Sequence, residues 1–105
     1  MSDAPRSYQE FIARYPELES AWDLVRQAED KGSFDDRTRR LLKLAIAVGA
    51  GRPGAISSAT RKALQAGVSA DELEQVVALG VSTVGFPASV AAFQDLRAAA
   101  AKAGS

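Results

Sequence analysis

The chain reads as an all-α protein of about six helices, on three observations. Apolar residues recur at three- and four-residue spacing along most of its length. The short stretches between them carry helix starts and stops, and no confident strand stands out. Alanine, the strongest helix former, supplies much of the 47% hydrophobic content. Short connections imply antiparallel neighbours. A length of 105 residues suits one domain, so residues 1–105 are expected to form a single compact all-α domain.

The first helix is expected over Ser7 to Arg14. Ser7-x-x-Glu10 has the pattern of a capping box, and Pro16 stops the helix. Pro16 also suits the first turn of the second helix. That helix runs to about Lys31 with Leu18, Ala21, Trp22, Val25 and Ala28 along one stripe and Gly32 as its stop. Asp35 or Asp36 caps the third helix. Leu41, Leu42, Leu44, Ala45, Ile46 and Val48 make it apolar almost all round, so it should be central. It ends in Gly49-Ala50-Gly51. The fourth helix starts near Pro53 and ends at Gly67. Ser69-x-x-Glu72 is a second capping box, opening the fifth helix through Leu73, Val76, Val77 and Leu79. Gly80, Ser82 and Gly85 are small enough to admit another backbone closely. Phe86-Pro87 breaks the chain, and the sixth helix buries Val90, Phe93 and Leu96 before fading into Ala98–Ala101.

Composition removes several function classes. Thirteen basic residues cancel thirteen acidic ones, so no global field gathers nucleic acid or an anionic membrane. No run of eighteen apolar residues suggests a membrane span. Met1-Ser2-Asp3-Ala4-Pro5 lacks the apolar core of a signal peptide, and the cytoplasm is the expected location. The chain has neither cysteine nor histidine. Nucleophilic cysteine, the Ser-His-Asp triad and histidine acid/base work are therefore excluded. So is the usual ligation of zinc, haem or iron–sulfur clusters. No metal and no cofactor are expected.

Gly51 to Gly67 reads G-R-P-G-A-I-S-S-A-T-R-K-A-L-Q-A-G. It is flanked by T-R-R-L-L-K-L-A-I-A-V-G before, and by A-L-Q-A-G-V-S-A-D-E-L-E-Q-V-V and T-V-G-F-P-A-S-V after. In that order and spacing the pieces resemble the carboxymuconolactone decarboxylase and alkylhydroperoxidase D-like superfamily, over about Trp22 to Leu96. The resemblance implies a helical homo-oligomer, commonly a trimer or hexamer, with its site near a subunit contact. In thiol-active members the central helix carries Cys-x-x-Cys-x-x-x-His. Anchored on Ala63-Leu64 and Ala66-Gly67, those positions fall on Arg52, Ala55 and Ala59. The family's acidic residue falls near Arg40. Relatives without cysteines place histidines where this chain has Ser57 and Ala59. The resemblance thus implies the family's scaffold without its reactive groups.

Positions 52, 55 and 59 share one helical face. The plain reading is ordinary packing surface. The functional reading is a repurposed pocket. Arg52 lies just before a helix start, where N–H groups and the dipole favour an anion, and its guanidinium can pair bidentately with a carboxylate. Ala55 and Ala59 would leave volume for an apolar body. Ser57, Ser58 and Thr60 could add hydroxyls, although their spacing does not put all three on one face.

Gly49 to Gly54 also spells G-x-G-x-x-G before a helix, as a dinucleotide fingerprint would. Against it stand Pro53 and the polar Arg39-Arg40 start of the preceding segment, which is long enough for a helix. The plain reading is a helix stop followed by a Pro-led start. Asp35, Asp36, Asp71, Glu72 and Glu74 cluster at expected helix starts, where the dipole accounts for them. Arg37, Arg39, Arg40 and Lys43 read as a solvated face or as salt bridges between subunits. Trp22 reads as core or interface. Tyr8 and Tyr15 lie near the N-terminus with no supporting pattern.

The leading functional reading is a homotrimer or homohexamer without a peroxidase centre, structural or binding a small carboxylated or apolar molecule. A second reading, from the enzyme class, is a cofactor-free lyase, decarboxylase or isomerase with Arg52 as the anion anchor. The most distant reading is nucleotide binding through Gly49–Gly54. The third and fifth helices carry more apolar surface than a monomer of this length readily covers. One outcome follows from composition alone. With no residue able to form a sulfenic acid, metal-free purified protein should reduce no peroxide at the expense of a dithiol. A coupled assay above blank would refute this.

Overall fold

A computed structural model describes residues 5–104. Six helices follow one another: α1 Arg6–Arg14, α2 Pro16–Asp30, α3 Asp36–Ala50, α4 Pro53–Gln65, α5 Ala70–Val84 and α6 Phe86–Ala103. There is no strand among the described residues. The chain divides into two compact units, residues 1–33 and 34–105.

The first unit holds α1 and α2, which touch each other. α1 starts at Arg6, one residue before the expected cap. Pro5 precedes it in an extended conformation and no side chain caps it. Ser7 therefore sits inside the first turn and forms no capping box. Glu10 instead pairs with Arg6 one turn back, at 3.4 Å. The α2 stripe of Leu18, Trp22 and Val25 exists at the expected spacing, but neither helix contains a buried residue. Gly32 is not the left-handed stop expected; α2 ends at Asp30 with Lys31 in ordinary right-handed geometry.

The second unit holds α3 to α6. α4 packs between α3 and α6, α5 packs against the same two helices, and α3 and α6 touch lightly. Three leucines from three helices, Leu44, Leu73 and Leu96, are wholly buried with Ala63 of α4. Ala47, Val48, Ile56, Val68, Val77 and Ala92 complete the core. α3 is central in that it meets all three other helices. It is not buried all round: Leu42 and Ile46 lie on an open side. On α6 the buried stripe is Ser89, Ala92 and Leu96, with Phe93 half-buried, while Val90 is 51% exposed. Ser89, Ala92 and Leu96 keep helical spacing, and Val90 falls beside that stripe.

Caps account for the ends. Asp35 accepts from the Thr38 backbone N–H at 2.7 Å. That bond, with the Thr38 hydroxyl and the nearby Arg37 and Arg39 charges, holds the Asp35 carboxyl below its ordinary value of 3.8. A lowered folded pKa means that the cap's ionic contribution is present above 3.8 and is lost as pH falls through the lowered value. Ser69 and Glu72 form the reciprocal box in full, at 3.2 Å and 3.0 Å. α3 and α4 both end in a paired-bond Schellman turn. Gly51 N–H donates to Val48 and Arg52 N–H to Ala47; Gly67 N–H donates to Leu64 and Val68 N–H to Ala63.

Between α5 and α6 the break is Gly85, not Phe86-Pro87. Its φ of 89° and ψ of 164° lie where only glycine is comfortable. Pro87 then sits in the first turn of α6. A Cβ on Gly80 would stand 3.7 Å from Val48 Cγ1. The close approach at Gly80 is therefore to α3 of the same chain, and a bulky side chain there would strain this core.

Two hydroxyls are buried in the second unit, Thr60 Oγ1 and Ser89 Oγ, and neither has a hydrogen-bond partner among the described residues. Removing an unsatisfied buried hydroxyl recovers its desolvation cost of about 1–3 kcal/mol. Thr60→Val should leave stability unchanged or raised in urea unfolding; a loss above about 1 kcal/mol would reveal a partner such as bound water. Ser69→Ala should cost about 1 kcal/mol, lowering the melting temperature by roughly 4–8 °C. An unchanged melting curve would show that the box is not needed.

Candidate functional site

α4 positions the residues that the sequence singled out. Gly51 turns the chain in the left-handed conformation, and Arg52 follows at φ −109° and ψ 101° as the N-cap residue. The Arg52 backbone is engaged on both sides: its N–H donates to Ala47, and its carbonyl accepts from Ile56 at 2.9 Å. Its side chain makes no cap and is exposed. Proline follows at the start of α4 and offers no N–H, which suits a helix start.

From Arg52 the helix carries Ala55, exposed, and Ala59, half-buried and packed against the core. At 3.6 residues per turn these two lie on one side of α4, next to the buried Ile56 and Ala63. The structure thus brings Arg52, Ala55 and Ala59 along one face. Ser57 does not join them. It is half-buried, two residues from each alanine, and so on the far side of the helix. Ser58 is half-buried as well, and Thr60 points into the core. The face offers one guanidinium and two methyl groups. It can attract an anion and accommodate an apolar body; it holds no group that can take or give a proton at neutral pH.

Arg40, which the sequence placed in a basic cluster on a solvated face, is less open than that reading implies. Its side chain is two-thirds buried and contacts Asp36 at 3.5 Å. It sits one turn before Leu44 and two before Ala47, at the head of α3's core-facing stripe. The signal for it was available in that i, i+4, i+7 spacing. Its neighbours use their charges within the chain: Arg39 pairs with Asp36 at 3.1 Å, and Arg37 pairs with Glu72 of α5. These half-exposed pairs contribute little individually. They show that the basic cluster has partners in its own chain, so salt bridges between subunits are not needed to explain it.

The Gly49–Gly54 fingerprint is not a nucleotide turn. A dinucleotide site needs a strand before the glycines, and α3 runs through Gly49 and Ala50. A Cβ at Gly49, Gly51 or Gly54 would meet no atom within 4 Å. The motif is a helix stop and a helix start. No helix among the described residues is long and apolar enough to cross a membrane.

Comparison with known proteins bears on the family and the fold. A model of the carboxymuconolactone decarboxylase family matches residues 16–98. Among solved structures, the chain is similar to the apo crystal structure of a carboxymuconolactone decarboxylase family protein from Legionella pneumophila. The two are 27% identical, with a TM-score of 0.77 over 88% of this chain and 83% of that one. No curated protein matches the sequence.

Proposed function

The chain belongs to the carboxymuconolactone decarboxylase family, and from that premise we propose that it is a helical homo-oligomer, a trimer or hexamer, whose α4 face binds a small carboxylated molecule in place of thiol chemistry. The observation that carries this reading is the make-up of that face. Where the family's redox-active members present two thiols and an imidazole, α4 presents exposed Arg52, exposed Ala55 and half-buried Ala59. The N-terminal end of α4 carries partial positive charge, and the guanidinium adds a full one. A ligand carboxylate placed there gains both, while its apolar remainder lies along the alanines.

Assembly is supported by apolar side chains left open in the second unit. Leu42 and Ile46 on α3, Leu79 on α5, and Phe86 and Val90 on α6 are all large and exposed. Scattered single cases are normal on a monomer, but two i, i+4 pairs are the pattern of interacting helical faces.

Arg52→Ala separates ligand anchoring from packing, because the side chain is exposed and makes no cap. Wild type and Arg52→Ala would be screened in parallel by thermal shift against a panel of small carboxylic acids. A charge-assisted bond contributes about 1.5–3 kcal/mol, so affinity should fall by roughly tenfold to a hundredfold or more. The melting temperature without ligand should stay close to wild type. A carboxylate that binds both proteins equally would place the site elsewhere and defeat the anchor.

A further inference from the structure

The two compact units differ in what holds them. Every buried core side chain lies between Leu44 and Leu96, in the second unit. Of the described residues before Phe34 none is buried, and only Ile12 and Glu29 are less than exposed. A helix in a protein takes most of its stability from packing an apolar face, and an isolated helix below about 12–15 residues is marginal in water. α1 has 9 residues and α2 has 15. Tyr8, Phe11, Leu18 and Trp22 supply apolar bodies, yet each keeps at least 41% of its surface open.

The ends of these two helices are weak as well. Neither has a side-chain cap at its start, whereas α3 has Asp35 and α5 has the Ser69–Glu72 box. A missing cap leaves the first N–H groups to water. α2 closes on Glu29 and Asp30 with no basic residue in its last turn, so carboxylates stand at the negative end of its dipole. The ion pairs Arg6–Glu10 and Arg26–Asp23 are more than half exposed on both sides, where such pairs contribute little. The second unit is complete by comparison. Leu44, Leu73 and Leu96 are wholly buried within it, and its own Asp35 closes the start of α3.

We infer that the chain holds two folding units of very different stability, and that α1 and α2 open together while α3 to α6 stay folded. The boundary falls between residues 33 and 34. The family match spans α2 as well as the second unit, so this boundary divides a family domain by stability and not by sequence. Openings of this kind range in free energy from near zero up to that of global unfolding, and they follow burial. The inference rests neither on assembly nor on a ligand at the α4 face. It adds that this face survives the opening, because Arg52, Ala55 and Ala59 all belong to the second unit.

The chain's own chromophores separate the two units. Its single tryptophan, Trp22, and both tyrosines, Tyr8 and Tyr15, precede residue 34. Trp22 emission therefore reports the first unit, while far-ultraviolet circular dichroism reports all six helices. The full-length protein would be unfolded in urea with both signals read, and its native-state amide exchange followed by mass spectrometry, beside Ala21→Pro. Ala21 is exposed in the interior of α2, where proline breaks the helix. Trp22 emission should reach its unfolded value before the main loss of helix signal. Amides of α1 and α2 should exchange within roughly a hundredfold of the rate of an unstructured chain, and those around Leu44, Leu73 and Leu96 roughly a thousandfold or more slowly than that chain's. Ala21→Pro should lose part of the helix signal and leave the main urea midpoint and the α3–α6 exchange rates unchanged. Coincident transitions of the two signals would overturn the inference, and so would α2 amides as protected as those beside Leu73. A fall in the main midpoint of Ala21→Pro, or α3–α6 amides exchanging roughly tenfold faster in it, would overturn it as well.

Discussion

Leu44, Leu73 and Leu96 come from three different helices and share one fully buried centre, and the second unit depends on their meeting. Each contributes on the order of 2–5 kcal/mol against truncation to alanine. Their meeting constrains the remaining helix. α4 lies between α3 and α6 and turns Ile56, Thr60 and Ala63 inward. Small residues at 60 and 63 let the flanking helices close over the leucines, since a close-packed interior has no room for more. α4 is thus held by packing, and nothing in that packing needs a reactive group at positions 52, 55 or 59.

That separation leaves the side chains of the outer α4 face free to differ while the family scaffold persists. Ala59 packs against the core from its edge, Ala55 is exposed, and Arg52 is the N-cap residue just before the helix. Alanine costs the helix nothing at either position. The turn before α4 is set by Gly51 and by the bonds from Gly51 and Arg52 to the end of α3, which are backbone features indifferent to the side chain at 52. The side chains at 52, 55 and 59 can therefore vary without disturbing the elements that carry them.

Apolar side chains and charge are both unevenly distributed outside the core. Large exposed residues occur on α1 and α2, on α3, and at the α5–α6 corner, while residues 1–33 carry an acidic and residues 34–105 a basic excess.

The all-α class, the six helices, the Asp35 cap, the Ser69–Glu72 box and the glycine stops after α3 and α4 were legible in the sequence because each is local. Helical spacing, a hydroxyl three residues before a glutamate, and a glycine before a proline act over a few residues wherever the chain goes. The family was legible for a related reason: its motifs are runs along single helices. The α4 face of Arg52, Ala55 and Ala59 was readable from the same arithmetic. Only the tertiary structure decided which side of each apolar helix faces inward. Ser89 is buried and Val90 exposed, Ile46 is open while Val48 is closed, and the α2 stripe finds no core. Neighbouring positions of similar hydrophobicity are equivalent until another helix covers one of them. Nor could the sequence show that Gly80 adjoins Val48 or that Arg37 reaches Glu72, because these pairs, more than thirty residues apart, are brought together only by packing.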